Sequence, residues 1–195
     1  MTYTELVCGS VRCGDETEYE LRPENYYLSD LDAIAPDLAR KAKMLVVSYP
    51  ANPVCVAAPR SFYEKLIAFA RKYNIIIIHD NAYSKIIFDD HESMSFLSVP
   101  GAMEVGVEYN SLSKTYNLTG ARISFVLGNR EIIQKYKTLR SPIDYGIFLP
   151  VQKSAIAALN GPQEGVEQPR LSYPARRDAL TGGLRSICWD APHTQ

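Results

Sequence analysis

Short apolar runs alternate with segments of helical period along most of the chain. The runs KMLVVSYP (43–50) and NIIIIHDN (74–81) are rich in β-branched residues and too short for helices, so they predict central strands buried on both faces of a sheet. EVGVEYNS (104–111) and RISFVLGN (122–129) predict two more strands, and TEYEL (17–21) is a less apolar candidate for a fifth. Between the first two runs, Phe62, Leu66, Phe69, Ala70 and Tyr73 fall on one helical stripe, and Ser61 with Glu64 has the spacing of a capping box. This segment predicts the crossover helix of a βαβ unit. Asn129 is placed to cap a helix carrying Ile132, Ile133, Tyr136 and Leu139, and a third helix runs from Pro150 to a stop at Gly161. The polar stretch from Gly161 to Pro174 reads as a hinge or linker. A helix weakened by Gly182 and Gly183 follows, then SICWD as the start of a strand. Strands alternating with helices in this way predict an α/β fold with a mostly parallel sheet. A helix leading into a strand at the end, and no clear strand at the beginning, suggest that the sheet is incomplete at both ends.

Composition narrows the function classes. A length of 195 residues, 46% of them hydrophobic and 22% charged, suits one sizeable core. The formal net charge of -1 offers no electrostatic footprint for nucleic acid or an anionic membrane, so a small molecule or a protein is the expected partner. Cys8, Cys13, Cys55 and Cys188 form no C-x-x-C pair, and His79, His91 and His193 are scattered, so no metal site is expected. With no leader-like N-terminus and no membrane-length apolar run, the expectation is a cytoplasmic protein with reduced thiols.

In an open α/β sheet, ligands bind beyond the carboxyl ends of the strands, so the residues just after each run matter most. Asn52-Pro53 follows the first run; Asp80, Asn81 and Tyr83 follow the second; Ser111, Ser113 and Lys114 follow the third; Arg122 opens the fourth. Each alone has an ordinary reading: Asp80 as a cap or turn residue, Ser111 as a turn hydroxyl, Tyr83 as a rim aromatic, Asn52 in a turn dipeptide. Lys114 is different. A lysine among small residues at the mouth of a buried sheet is expected to lose solvation, which favours a neutral, nucleophilic amine able to form a Schiff base. Taken together the set meets the needs of pyridoxal 5'-phosphate (PLP): an amine for its aldehyde, a carboxylate for its ring nitrogen, donors for its phenolate oxygen and a cup for its phosphate. Lys114 would hold the aldehyde, Asp80 the ring nitrogen, Tyr83 and Asn52 the phenolate, and Ser111 and Arg122 the phosphate.

The segments SYPANP, HDNAY, NSLSKTYNLTGAR and RRDAL resemble, in order and spacing, the large domain of class I/II aminotransferases, the fold-type-I PLP-dependent enzymes. The phrasing of HDNAYSKIIFDD and SLSKTYNLTGAR is most similar to the branch with LL-diaminopimelate and aspartate aminotransferases. The resemblance implies an incomplete three-layer α/β/α large domain over residues 1–165, with a linker helix and the start of a C-terminal small domain over 166–195. It implies an amino acid and a 2-oxo acid as substrates, Lys114 as the lysine that carries the cofactor and shuttles a proton, and Ser113 as a second hydroxyl toward the phosphate. A homodimer or a complementing chain is the implied assembly. Three departures stand out. The family's Asn-Pro-Thr-Gly loop is here Asn52-Pro53-Val54-Cys55, which puts a thiol side chain where a turn glycine is usual. Second, family members are longer, and their N-terminal segments would supply further strands and a phosphate-binding helix start; third, their C-terminal domain would carry the arginine for the substrate carboxylate. The expectation is therefore weak or no transamination by this chain alone.

Other readings have less company. Ser111 and Lys114 also match the S-x-x-K spacing of a serine hydrolase, without its S-D-N and K-T-G partners. GAMEVGV (101–107) has the glycine spacing of a phosphate loop but Val107 where a lysine is required. A non-catalytic remnant of the PLP fold, acting as a binding protein, is the alternative in a different class.

Overall fold

The computed structural model of the chain describes residues 19–89, 91, 93–189 and 191. In chain order these form α1 (Pro36–Lys41), β1 (Met44–Ser48), α2 (Arg60–Tyr73), β2 (Ile76–Asp80), α3 (Ala102–Val105), β3 (Gly106–Ser111), α4 (Leu112–Thr115), β4 (Ser124–Gly128), α5 (Arg130–Arg140), α6 (Leu149–Asn160) and α7 (Glu164–Ser186). Among the described residues the strands make one sheet in the order β1-β2-β3-β4, with β1, β2 and β3 parallel and β4 antiparallel to β3. This is the expected α/β architecture with a mostly parallel sheet.

The core lies between the sheet and α2. Leu45 and Val47 of β1 and Ile77 of β2 meet Phe62, Tyr63, Leu66, Ile67 and Ala70 of the helix, all buried. Strand residues alternate between faces, so the same register turns Met44 and Val46 the other way, and these are 59% and 56% exposed. The prediction that β1 is buried on both faces is thus corrected. It lies at the edge of the described sheet, and only one of its faces is covered by α2. Gly106 opens β3 where a Cβ would stand 2.5 Å from the Ile77 carbonyl oxygen, so its lack of a side chain lets β3 close on β2 beneath Phe96.

Helix signals held unevenly. Asn129 caps α5 as expected, its Oδ1 accepting from the Glu131 and Ile132 amides at 2.9 and 3.2 Å. α6 stops at Gly161 as expected. The Ser61/Glu64 capping box does not form: α2 begins at Arg60 behind Pro59, which leaves Ser61 inside the helix, and Glu64 is held by Arg60 Nε at 2.9 Å. The stretch expected as a linker is helical from Glu164 on, and α7 continues through Pro169 and Pro174 to Ser186. After α7, residues 187 and 188 form a turn and not the expected strand, because the helix is closed by the Ile187, Cys188 and Trp189 amides folding back onto Leu184 and Arg185. Of TEYEL, residues 17 and 18 lie outside the described residues and 19–21 are irregular, with Tyr19 donating from its hydroxyl to the Val46 carbonyl at 2.8 Å. α7 reaches the segment after β2 through Arg170 Nη1 on the Ile87 carbonyl at 3.3 Å and an ion pair between Arg177 and Asp89. Among the described residues no helix is long and apolar enough to cross a membrane.

Candidate active site

Because β1, β2 and β3 run parallel, their carboxyl ends share one edge, where Ser48 is opposite Asp80 and Asp80 opposite Tyr109. Antiparallel β4 starts where β3 stops, Ser124 opposite Ser111, and this brings the turn carrying Arg122 to the same edge. All seven residues singled out from the sequence therefore lie at this edge or in the loops leaving it.

Two sets are linked by direct contact. In the first, Asn52 Nδ2 donates to the Tyr83 hydroxyl oxygen at 3.0 Å, and Lys114 Nζ lies 5.7 Å from the centroid of the Tyr83 ring. The Tyr83 ring thus joins the loop after β1 to the helix after β3, and its π face attracts the ammonium. In the second, Ser111 Oγ caps α4 by accepting from the Ser113 amide at 3.1 Å, the Ser113 carbonyl accepts from Thr119 Oγ1 at 3.1 Å, and Arg122 Nη1 donates to the Thr119 carbonyl at 3.1 Å. Asp80 stands at the end of β2, exposed, with Oδ1 accepting from the Ala82 amide at 3.2 Å. It joins the others through strand register.

The loop that carries Asn52 is a tight turn: the Cys55 amide donates to the Ala51 carbonyl at 2.7 Å and the Ala51 amide to the Val56 carbonyl at 3.1 Å. Closing it puts Cys55 at φ +53°, the left-handed region that glycine enters without cost. Arg122 has φ +51° for a related reason, since its amide turns back to the Thr119 carbonyl. One expectation is corrected here. Lys114 is exposed, so the desolvation inferred from its small neighbours is not supplied by the described residues.

Beneath this edge is a cluster the sequence reading did not assign. Glu108 of β3 is 2% exposed and His79 of β2 fully buried, facing each other across the register. The Tyr63 hydroxyl is 3.1 Å from His79 Nε2, and His79 Nδ1 is 3.0 Å from Glu108 Oε2. With the proton on Nδ1, the tyrosine donates to the ring and the ring to the carboxylate. Burial alone would push the Glu108 carboxyl up, but hydrogen bonds from His79, Asn110 and Asn81 outweigh it and hold it down at about 2. Burial and the Glu108 charge both raise the Tyr63 phenol, which keeps it a donor. A carboxylate at an inward position of an otherwise apolar strand was the signal available in EVGVEYN.

An α/β sheet whose carboxyl edge gathers an amine, an acid, a phenol–amide pair and a hydroxyl–guanidinium set has the chemistry to hold a phosphorylated aldehyde. The family model described as aminotransferase class I and II matches residues 11–195. The chain belongs to that family. It is 45% identical over 179 residues to the LL-diaminopimelate aminotransferase of Halothermothrix orenii, covering 92% of this chain and 46% of the relative. The enzyme of the same name from Syntrophobacter fumaroxidans is 48% identical over 164 residues, covering 84% and 42%. Among solved structures, BacF from Bacillus subtilis superposes with a TM-score of 0.84 at 39% identity over 87% of this chain and 43% of that one. The aspartate aminotransferase single mutant from Thermus thermophilus gives 0.83 at 27% identity over 92% and 47%. The chain spans about half the length of the curated relatives it matches. Membership of the family implies pyridoxal phosphate as cofactor, and the donor set at the sheet edge fits that group.

Proposed function

We propose that this chain carries the lysine-bearing part of a PLP-dependent aminotransferase site, transferring an amino group between an amino acid and a 2-oxo acid. The observation that carries the reading is the contact chain from Asn52 through Tyr83 to Lys114, which joins three strand-end segments at the edge where Asp80 also stands. PLP supplies an aldehyde that condenses with amines and a ring that accepts negative charge. Lys114 Nζ would be the amine that holds the aldehyde and the group that takes and returns a proton at the substrate Cα. The Asp80 carboxylate keeps a proton on the ring nitrogen. Tyr83 and Asn52 donate to the phenolate oxygen, and the Ser111 and Ser113 hydroxyls with the Arg122 fork take the phosphate.

The names of the relatives favour LL-diaminopimelate as the amino substrate, with a 2-oxo acid as its partner in the exchange. The proposal places the protein in the cytoplasm, working as a homodimer or with a complementing chain that covers the open face of β1, and organised as a large domain over 1–165 followed by a small-domain segment over 166–195. A second reading, PLP binding without turnover, is favoured by the exposure of Lys114 in the described chain. One assay separates the two. Purified chain with PLP is expected to develop a visible absorbance band, and adding LL-diaminopimelate with 2-oxoglutarate yields glutamate on the first reading only. A band without glutamate establishes the second, and no band contradicts both.

A further inference from the structure

The Glu108 carboxylate gathers more donors than any single role in a strand requires. Its two oxygens accept from His79 Nδ1 at 3.0 Å, Asn81 Nδ2 at 3.0 Å, Asn110 Nδ2 at 3.0 Å, Ser95 Oγ at 2.9 and 3.0 Å, and the Phe96 amide at 2.8 Å. The sequence position of those donors is the telling feature. His79 and Asn81 are the two chain neighbours of Asp80, and Asn110 immediately precedes Ser111, whose hydroxyl caps the helix that carries Lys114. Glu108 is on the sheet face opposite Asp80, since it pairs with His79 while Tyr109 pairs with Asp80. The carboxylate therefore grips the end of β2 from below, on both sides of the acid, and grips the strand leading to the lysine with the same two oxygens.

The cluster is costly unless it is complete. Glu108 and His79 are removed from water, and a buried charge is tolerated only when its hydrogen bonds are satisfied. Asn81 is buried as well, and its Oδ1 has no hydrogen-bond partner among the described residues. Its amide is thus oriented by the carboxylate and not by a partner for its own oxygen. We propose that Glu108 is a positioning residue for the cofactor site, fixing Asp80 and the Ser111–Lys114 segment relative to each other across the β2–β3 seam. This rests on the reading of Asp80 and Lys114 as site residues given above. The backbone ladder between β2 and β3 sets strand spacing. It ends at the Asn81 amide on the Tyr109 carbonyl, 2.9 Å, and the side-chain clamp takes over where the strands give way to the turn and to α4.

Two measurements on the full chain test the proposal, using Glu108→Gln, which turns an amide N–H donor toward a set of donors in place of one carboxylate oxygen, and Ser95→Ala, a milder change that keeps the carboxylate and serves if the first variant does not fold. Without cofactor, amide hydrogen exchange at Asn81 and Ala82 is expected to quicken about tenfold while Leu66 and Ala70 of α2 stay within about twofold of wild type. Equal acceleration at all four amides, or none, overturns the proposal. With PLP, Glu108→Gln is expected to weaken binding about tenfold, the equivalent of one charge-assisted hydrogen bond, but less than about twofold in an Asp80→Ala background. The same loss in both backgrounds would mean that Glu108 supports the fold only, and also overturns it. If wild type itself binds no PLP, the site reading fails, and the exchange measurement still decides whether Glu108 clamps the Asp80 turn.

Discussion

At the scale of single residues, Cys55 and Glu108 show how local chemistry and site geometry trade against each other. The turn that presents Asn52 to Tyr83 requires a left-handed residue at position 55, and a cysteine meets that requirement at a conformational cost. Cys55→Gly is expected to raise stability by about 0.5–1 kcal/mol, the relief of the positive φ less the extra freedom glycine has when unfolded, measurable by urea denaturation. Glu108 gives the protein an acid-sensitive element. Its carboxyl is held at about 2, below the ordinary 4.5, so the folded state is favoured above the ordinary value and loses that advantage as pH falls through the folded one. A component on the order of 3 kcal/mol is expected to disappear between about pH 4.5 and pH 2. Glu108→Gln should flatten the urea midpoint against pH across that window. These two positions also mark the limits of reading the sequence. The loss of a turn glycine at Cys55 was legible from the loop motif. The His79–Glu108 clamp was not, because a histidine and a glutamate 29 positions apart say nothing of their pairing until the register of β2 against β3 is known.

At the scale of elements, α5 begins where its cap predicts, while α2 begins with no side-chain cap. Asn129 holds α5 by two amides and also donates from Nδ2 to the Glu104 carbonyl at 2.9 Å, which ties the helix to the end of α3. Asn129→Ala is expected to cost about 1–2 kcal/mol, whereas Ser61→Ala should stay within about 0.5 kcal/mol because α2 makes no cap bond through it. Thermal melts of both variants followed by circular dichroism check the contrast. β1 and β2 were legible because their β-branched runs leave no helical alternative, whereas the TEYEL and SICWD candidates form no strand among the described residues. The span 164–174 was misread as a linker because its prolines and polar residues resemble a break, yet Pro169 and Pro174 are both accommodated within α7.

At the scale of the whole molecule, a parallel α/β sheet collects residues distant in sequence at one edge, and this is why the convergence of those residues could be read before the fold was known. The order of the strand-end residues is enough to predict their convergence once neighbouring strands are parallel. Burial was harder to foresee. The apolar run of β1 suggested cover on both sides, while Met44 and Val46 stand open in the described chain, and so does Lys114 on the helix after β3. Covering that face is the work the proposed partner or complementing chain would do. The central claim remains that one amine holds the cofactor. The chain incubated with PLP, reduced with borohydride and digested is expected to show the pyridoxyl mass on the peptide containing Lys114, and Lys114→Ala to show none. Label on another lysine such as Lys85 or Lys72, or label that persists in the alanine variant, would contradict the account.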